Sequence, residues 1–516
     1  MFGRTRRAVQ AALAATTLPD ELKAFIALLV ARTRLRRAEQ LDIAAELTSH
    51  FSEGLAAGRT ADALIAAYGD ARQSARELRA SAIAKRGALD RAAGVLVKWS
   101  GIGAAAVFAV YLGSAAALYF REPVISFDAR AAVNARLPKA GPEGRALELY
   151  AAALGERGGL AFGDRLNPGI DAAMEALEHI DSDEAAAASV REFVDEWWRV
   201  LEVLREVRSR PVFGLAVVTS STDDATAVGL FGKDALVDGA YAESGILVGS
   251  LINTLLPQAS MLRSCARLLV VDAALAAHEG RAEDAIASFE AAMAAGVHAG
   301  EFGLLICRLV ESGIKSLVIE SVGAAVARHP RAFDDAQLAR LERLVRGQRV
   351  DFVVGFEGEW NMMRDLVQRC YSDDGDGDGL LLPRAHGQLM RELSSWSSIG
   401  ADRGGRGGAI AAVEFMGGPV VATIAPSRRE IEDRARAYYT KAIAVATAES
   451  EEESALLRSE FVEMAAALGH DPRNIFVIMA PGLDRALDLP RKLEELAERT
   501  ADAIAAERAK RAANGR

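Results

Sequence analysis

Cysteine is scarce: three residues in 516 exclude a disulfide scaffold. Cys265, Cys307 and Cys370 fall in predicted helices, and both a Cys265–Cys307 pair and buried thiols remain open. Aromatic residues make up only 6% of the chain, and much of the 51% apolar content is alanine, which favours helices over sheets. No run of alternating strands is present, so the expected fold class is all-α. The seven histidines (50, 179, 278, 298, 329, 386 and 470) contain no H-E-x-x-H and no metal-ligand spacing. A G-x-S-x-G elbow and a P-loop are also missing, so no composite catalytic motif is legible. The net charge of −10 argues against a general nucleic-acid binder.

What is present begins with a charge split. Residues 1–98 hold 16 Lys/Arg against 10 Asp/Glu, residues 99–120 hold none, and the remainder is strongly acidic. A run of 22 uncharged residues meets the length of about 20 needed to span a hydrocarbon core. Lys98 and Trp99 frame it on one side and Tyr119, Phe120 and Arg121 on the other, residue types suited to the headgroup level. The expectation is an uncleaved single-pass anchor in the cell (inner) membrane, with the basic N-terminal part cytoplasmic and the acidic bulk extracytoplasmic. The boundaries follow: 1–90 a small cytoplasmic helical domain, 91–121 the transmembrane helix and its flank, 122–355 an extracytoplasmic α-hairpin domain, and 356–516 a C-terminal helical region.

The first domain carries a spacing. Pro19, Asp20 and Glu21 open one helix, and a second runs over about 38–55 and stops at Gly58. Thr60 caps a third that Gly69 terminates, and Asp70 caps a fourth. The pattern Glu46-Leu47-x-x-His50-Phe51, Gly58, Ala63, Gly69-Asp70, Ala75 and Leu78 resembles the HTH-associated α-helical signalling (HAAS) domain, also found as a permease prefix. That resemblance, over about 45 residues, implies a cytoplasmic interaction module whose partner is a winged-helix regulator or a permease. Its expected partner-binding residues are Glu46, His50, Phe51, Gly58, Gly69 and Asp70. Glu46 and His50 lie one helical turn apart; a pH-sensitive, partner-facing pair and a histidine packed between helices are both compatible with that.

Beyond the span, a Pro-containing linker (Pro123, Pro138, Pro142) leads into helical periodicity. The clearest expected helix covers 183–208, with Val190, Phe193, Trp197, Leu201 and Leu204 on one stripe. Residues 261–295 resemble one tetratricopeptide-type hairpin, turning at His278–Arg281, with Ala285, Phe289 and Ala292 in the second helix. Residues 401–408 read as a Gly-rich linker, 409–426 as a buried or irregular segment, and helices are expected over 428–447, 451–468 and 490–511.

Asp374, Asp376, Asp378 and Gly379 match positions 1, 3, 5 and 6 of a calcium loop, three carboxylates at alternate positions and a glycine for the turn. Position 12, where a bidentate Glu belongs, is Ala385, so Ca²⁺ and an acidic surface turn are rival readings. The layout as a whole also resembles uncharacterised membrane-anchored bacterial proteins. Two functions are compatible with these features: a single-span signalling or scaffolding protein, and a membrane-tethered extracytoplasmic hydrolase with an acidic site and a structural calcium.

Overall fold

The computed structural model describes residues 2–155, 161–216, 225–231, 250–253, 256–389, 417–469, 483 and 486–514. Among these the chain is all-helical; its only β-type pairings are two isolated bridges. It divides into two compact units, Met1–Val110 and Tyr111–Arg516.

The first unit contains α1 (Phe2–Ala14), α2 (Asp20–Thr33), α3 (Arg37–Ala56), α4 (Ala61–Tyr68) and α5 (Ala71–Ala84). Its starts and stops are local chemistry. The Thr60 hydroxyl accepts the Ala63 N–H at 3.3 Å, and the Asp70 carboxylate accepts that of Arg72 at 3.1 Å. Gly58 and Gly69 take φ of +82° and +80°, the left-handed region that lets the chain turn without a Cβ clash. Leu22, Ile26, Leu29, Leu47, Phe51 and Leu64 form the core. Arg86 closes the unit by a bidentate pair with Glu39, at 2.8 and 3.0 Å, back to the first turn of α3.

A 32-residue helix, α6 (Ala88–Tyr119), follows. Its segment Ile102–Tyr119 is long and apolar enough to cross a membrane. Only 6% of that segment is buried, which separates it from the core helix of a soluble domain.

The second unit has one hydrophobic core running from Ala129 to Ile504, so the division expected at 355/356 has no counterpart in the packing. Its frame is three consecutive packed helices. Helix α13 (Pro257–His278) packs on α14 (Ala282–Gly300), which packs on α15 (Leu305–Arg328). Before them come α7 (Ala129–Asn134), α8 (Leu147–Leu154), α9 (Ala161–Leu177), α10 (Glu184–Glu196), α11 (Trp198–Arg205) and α12 (Ala225–Phe231). After them come α16 (Asp335–Val345), α17 (Phe352–Cys370), α18 (Arg428–Ala446), α19 (Glu451–Gly469) and α20 (Leu489–Asn514); α20 returns to pack on α15 and α16. The α13–α14 turn is where the spacing put it, with Gly280 at φ +76° and Ala285, Phe289 and Ala292 fully buried.

Two expectations are corrected. The single helix over 183–208 is broken at Trp197, whose ψ of 9° ends α10 and starts α11, although Val190, Trp197, Leu201 and Leu204 still share the core. The stretch after the span is no loose linker. The Ser126 and Phe127 N–H groups donate to Gln368 Oε1 at 3.0 and 2.9 Å, and Gln368 Nε2 returns a bond to the Phe127 carbonyl at 2.7 Å. Arg364 stacks over the Phe127 ring at 4.0 Å, so residues 126–127 are strapped to α17. The linker expected at 401–408 lies outside the described residues, as do His470 and parts of 212–256 and 409–426. Residues 417–426, the described end of the last of these, are helical to 424, with Gly418, Ala422 and Pro426 buried and Val420, Val421 and Ile424 exposed.

Candidate functional site

On the first unit, Glu46 and His50 both face solvent on α3. The His50 ring lies edge-on to Phe51 at 5.7 Å and to Tyr68 at 6.3 Å, and Phe25 completes the aromatic group at 6.2 Å from Phe51. Phe51 is fully buried, so it supports this face from beneath and meets no partner itself. Burial, reinforced by Glu46 and Glu77, pushes the Tyr68 hydroxyl above its usual pKa. Gly58, Gly69 and Asp70 are exposed at the helix corners, where they set the backbone path described above.

The acidic segment folds as a tight hairpin on the end of α17. Tyr371 and Leu381 bridge, Ser372 N–H donates to the Leu380 carbonyl at 2.9 Å, and Asp374 N–H to that of Asp378 at 2.9 Å. Asp374 Oδ1 accepts the N–H groups of Asp376 and Asp378, at 2.9 and 3.0 Å, which hold its carboxyl below the usual range. Asp378 Oδ1 accepts those of Gly379 and Arg429, and the Arg429 bond is the main reason its pKa also falls. Asp373 pairs with the buried Arg428 at 2.8 Å. The three expected ligands, Asp374, Asp376 and Asp378, therefore do not converge on one point; Ala385, at the twelfth position, is buried in the helical residues 383–389. The alternate spacing yields a turn capped by its own carboxylates.

A cleft of about 450 Å³ opens between α7, the α14–α15 turn and α17, lined by Arg136, Glu301, Arg308, Glu357 and Asn361. Burial raises the Glu301 carboxyl to about 7, against the bonds it accepts from Gly214 and Phe213 and the charge of Arg145. Behind it, Glu359 is raised to about 7 by burial, its one opposing bond coming from Leu305 N–H at 3.3 Å. His298 is pushed down to about 4 by burial; its Nε2 donates to the Arg210 carbonyl at 2.8 Å, leaving Nδ1 to accept the Tyr150 hydroxyl at 3.0 Å. These walls meet closely because Gly358 lies against the Gly303 carbonyl, where any Cβ would come within 2.1 Å. Cys265 and Cys307 are buried thiols with no disulfide between them; burial pushes both up, Cys307 to about 12, so neither is a nucleophile.

A further constellation was not legible in the sequence. Asp181 sits in the turn between α9 and α10, His278 is the last residue of α13, and His329 caps α15. His278 Nδ1 lies 3.1 Å and His329 Nε2 3.4 Å from Asp181 Oδ1. The two rings meet edge to face at 5.3 Å. Among the described residues this is the one group of three or more His, Cys, Asp or Glu whose ligand atoms lie within 4.8 Å of one another. The available hint was that both histidines end helices, where a protonated imidazole is favoured by the negative terminus. Burial is the main reason the His329 pKa is lowered, with Asp181 opposing.

No protein-family model, no curated protein and no solved structure matches the chain.

Proposed function

We propose that this protein is a single-span, membrane-anchored signalling or scaffolding protein. The observation that carries the reading is α6: a long helix whose apolar side chains, Trp99, Ile102, Val107, Phe108 and Val110 among them, stand exposed to solvent. Side chains of that kind are stable in water only when covered, and a bilayer covers them along the whole circumference. The four Lys/Arg on the N-terminal flank against three on the other favour a cytoplasmic basic unit, in keeping with the preference of cytoplasmic flanks for Lys and Arg.

In this reading the first unit is a HAAS-like module and its face around Glu46 and His50 docks a winged-helix regulator or a permease. Support comes from an exposed, ionisable ring seated on a rigid aromatic base, a combination suited to partner recognition. The hairpin array of the second unit, tetratricopeptide-like at α13–α14, holds an extracytoplasmic partner, and residues 126–127, beyond the span, are bonded to α17. The test is photo-crosslinking of the full chain in native membranes, with the reactive residue at position 50 or, as control, at position 62. A regulator or permease captured from position 50 alone supports the reading. Equal or absent capture at both positions removes the docking face.

The cleft around Glu301 favours a second reading, the membrane-tethered hydrolase, because a buried carboxyl near neutral pKa is suited to proton transfer. Ester, glycoside and peptide substrates tested on wild type and Glu301→Gln decide it. Turnover lost in the variant supports hydrolysis, and no turnover in either excludes it.

A further inference from the structure

We infer that Asp181, His278 and His329 form a binding site for a divalent transition metal of the zinc type. The argument is geometric first. Two ligands each about 2.0–2.1 Å from a tetrahedral ion stand about 3.3 Å apart. The separations of the two imidazole nitrogens from Asp181 Oδ1, 3.1 and 3.4 Å, bracket that value. Two imidazole nitrogens and one carboxylate oxygen are the donor set that zinc-type ions favour, and calcium and magnesium do not. The fourth position is left to water, and the site is reachable from solvent, with side-chain exposures of 45%, 26% and 16% for Asp181, His278 and His329.

The three donors sit on three separate segments, each pinned by backbone hydrogen bonds (for the Asp181 turn, Ser182 and Asp183 N–H on the His179 carbonyl), which favours a site formed before the metal arrives. The His278 turn is fixed by Arg281 N–H on the Ala276 carbonyl at 2.7 Å. His329 is held by its own N–H on the Ala325 carbonyl at 2.9 Å. Arg328 reaches across to the Leu177 carbonyl at 2.9 Å, fastening the end of α15 to the end of α9 just before Asp181. The neighbouring acid, Glu279, is engaged by Arg191 and Arg281 and so does not compete as a ligand. A bound ion would clamp the ends of three hairpin elements together. The inference is independent of the signalling reading, because it uses neither the anchor nor the first unit.

The test uses the full chain in detergent micelles, stripped with a chelator and titrated with Zn²⁺ by calorimetry and with Co²⁺ by visible absorption. The expected result is one saturable equivalent, with Co²⁺ giving the intense bands of a four-coordinate site that Zn²⁺ then abolishes. His278→Ala, His329→Ala and Asp181→Asn each weaken binding at least about tenfold, whereas His179→Ala and His50→Ala leave it unchanged. Asp181→Asn keeps the side-chain shape and decides the matter should a histidine variant lose helicity. No saturable site in wild type, or undiminished binding in Asp181→Asn, overturns the inference and leaves the trio a hydrogen-bonded clamp.

Discussion

The acidic hairpin at 373–378 and the Asp181–His278–His329 group dispose similar donors in opposite ways. In the hairpin the carboxylates turn inward: Asp374 and Asp378 accept backbone N–H groups and Asp373 holds Arg428, so the negative charge shapes the turn itself. At the second site, two rings and one carboxylate from three elements converge on a single oxygen and leave a side open to water. Charge answered by backbone N–H groups and arginines is structural. Donors brought together from far apart, and left incomplete, have room for a ligand.

That contrast is sharpened most by Arg428. It is buried between Asp373 and Glu432, and Arg428→Ala should cost about 3 kcal/mol, the low end for a broken buried pair, since Asp373 keeps some access to water. Chemical denaturation of the full chain measures it. A loss under about 1 kcal/mol would remove the hairpin's structural role.

Comparable in size is the pH dependence set by Glu359, on the helix that carries the hairpin. Its folded pKa of about 7 lies above the ordinary 4.5, so the folded state holds the proton more tightly. The sign follows: stability from this group is present below about pH 4.5 and is lost as pH rises through about 7, a total near 3 kcal/mol. Glu359→Gln should flatten that fall, read as the difference in melting temperature between variant and wild type from pH 5 to pH 8.

Smaller is the steric test of the turn. A Cβ on Gly379 would stand 2.0 Å from the Ser372 carbonyl oxygen, so Gly379→Ala should destabilise by about 1–3 kcal/mol as the hairpin opens. Smallest is the effect of removing a donor at the other site without metal. Asp181→Asn should change stability by less than about 1 kcal/mol, because the group is half exposed. Calcium added to wild type should leave the melting temperature unchanged, since the Asp374 and Asp378 carboxylates are already engaged by backbone N–H groups; a rise abolished by Asp374→Ala would show that the loop opens to take the ion after all.

The readings that matched the structure share a range of interaction. Thr60, Asp70 and Asp183 each bond to an N–H two or three residues on, and Gly58, Gly69 and Gly280 relieve a strain felt by one residue. Such signals are complete within a few positions of the chain, and so is the hydropathy of α6. His50 and Glu46 also appear on the surface together because one helical turn relates them. The calcium-like spacing was equally visible, yet spacing says nothing of where carboxylates point once Arg428 and Arg429 arrive from beyond position 420. The break at Trp197 was hidden because the apolar stripe continues across it unchanged.

What the sequence determined by itself was the helical class, the ends of the first unit's helices and a segment fit to cross a bilayer, because each rests on local bonds or on composition. Tertiary structure alone decided that residues 126–127 are strapped to Gln368, that Glu359 is sealed from water, and that Asp181 meets a histidine 97 positions away. Those outcomes depend on which helix ends come to lie side by side in the packed core, and no interaction confined to neighbouring residues encodes that.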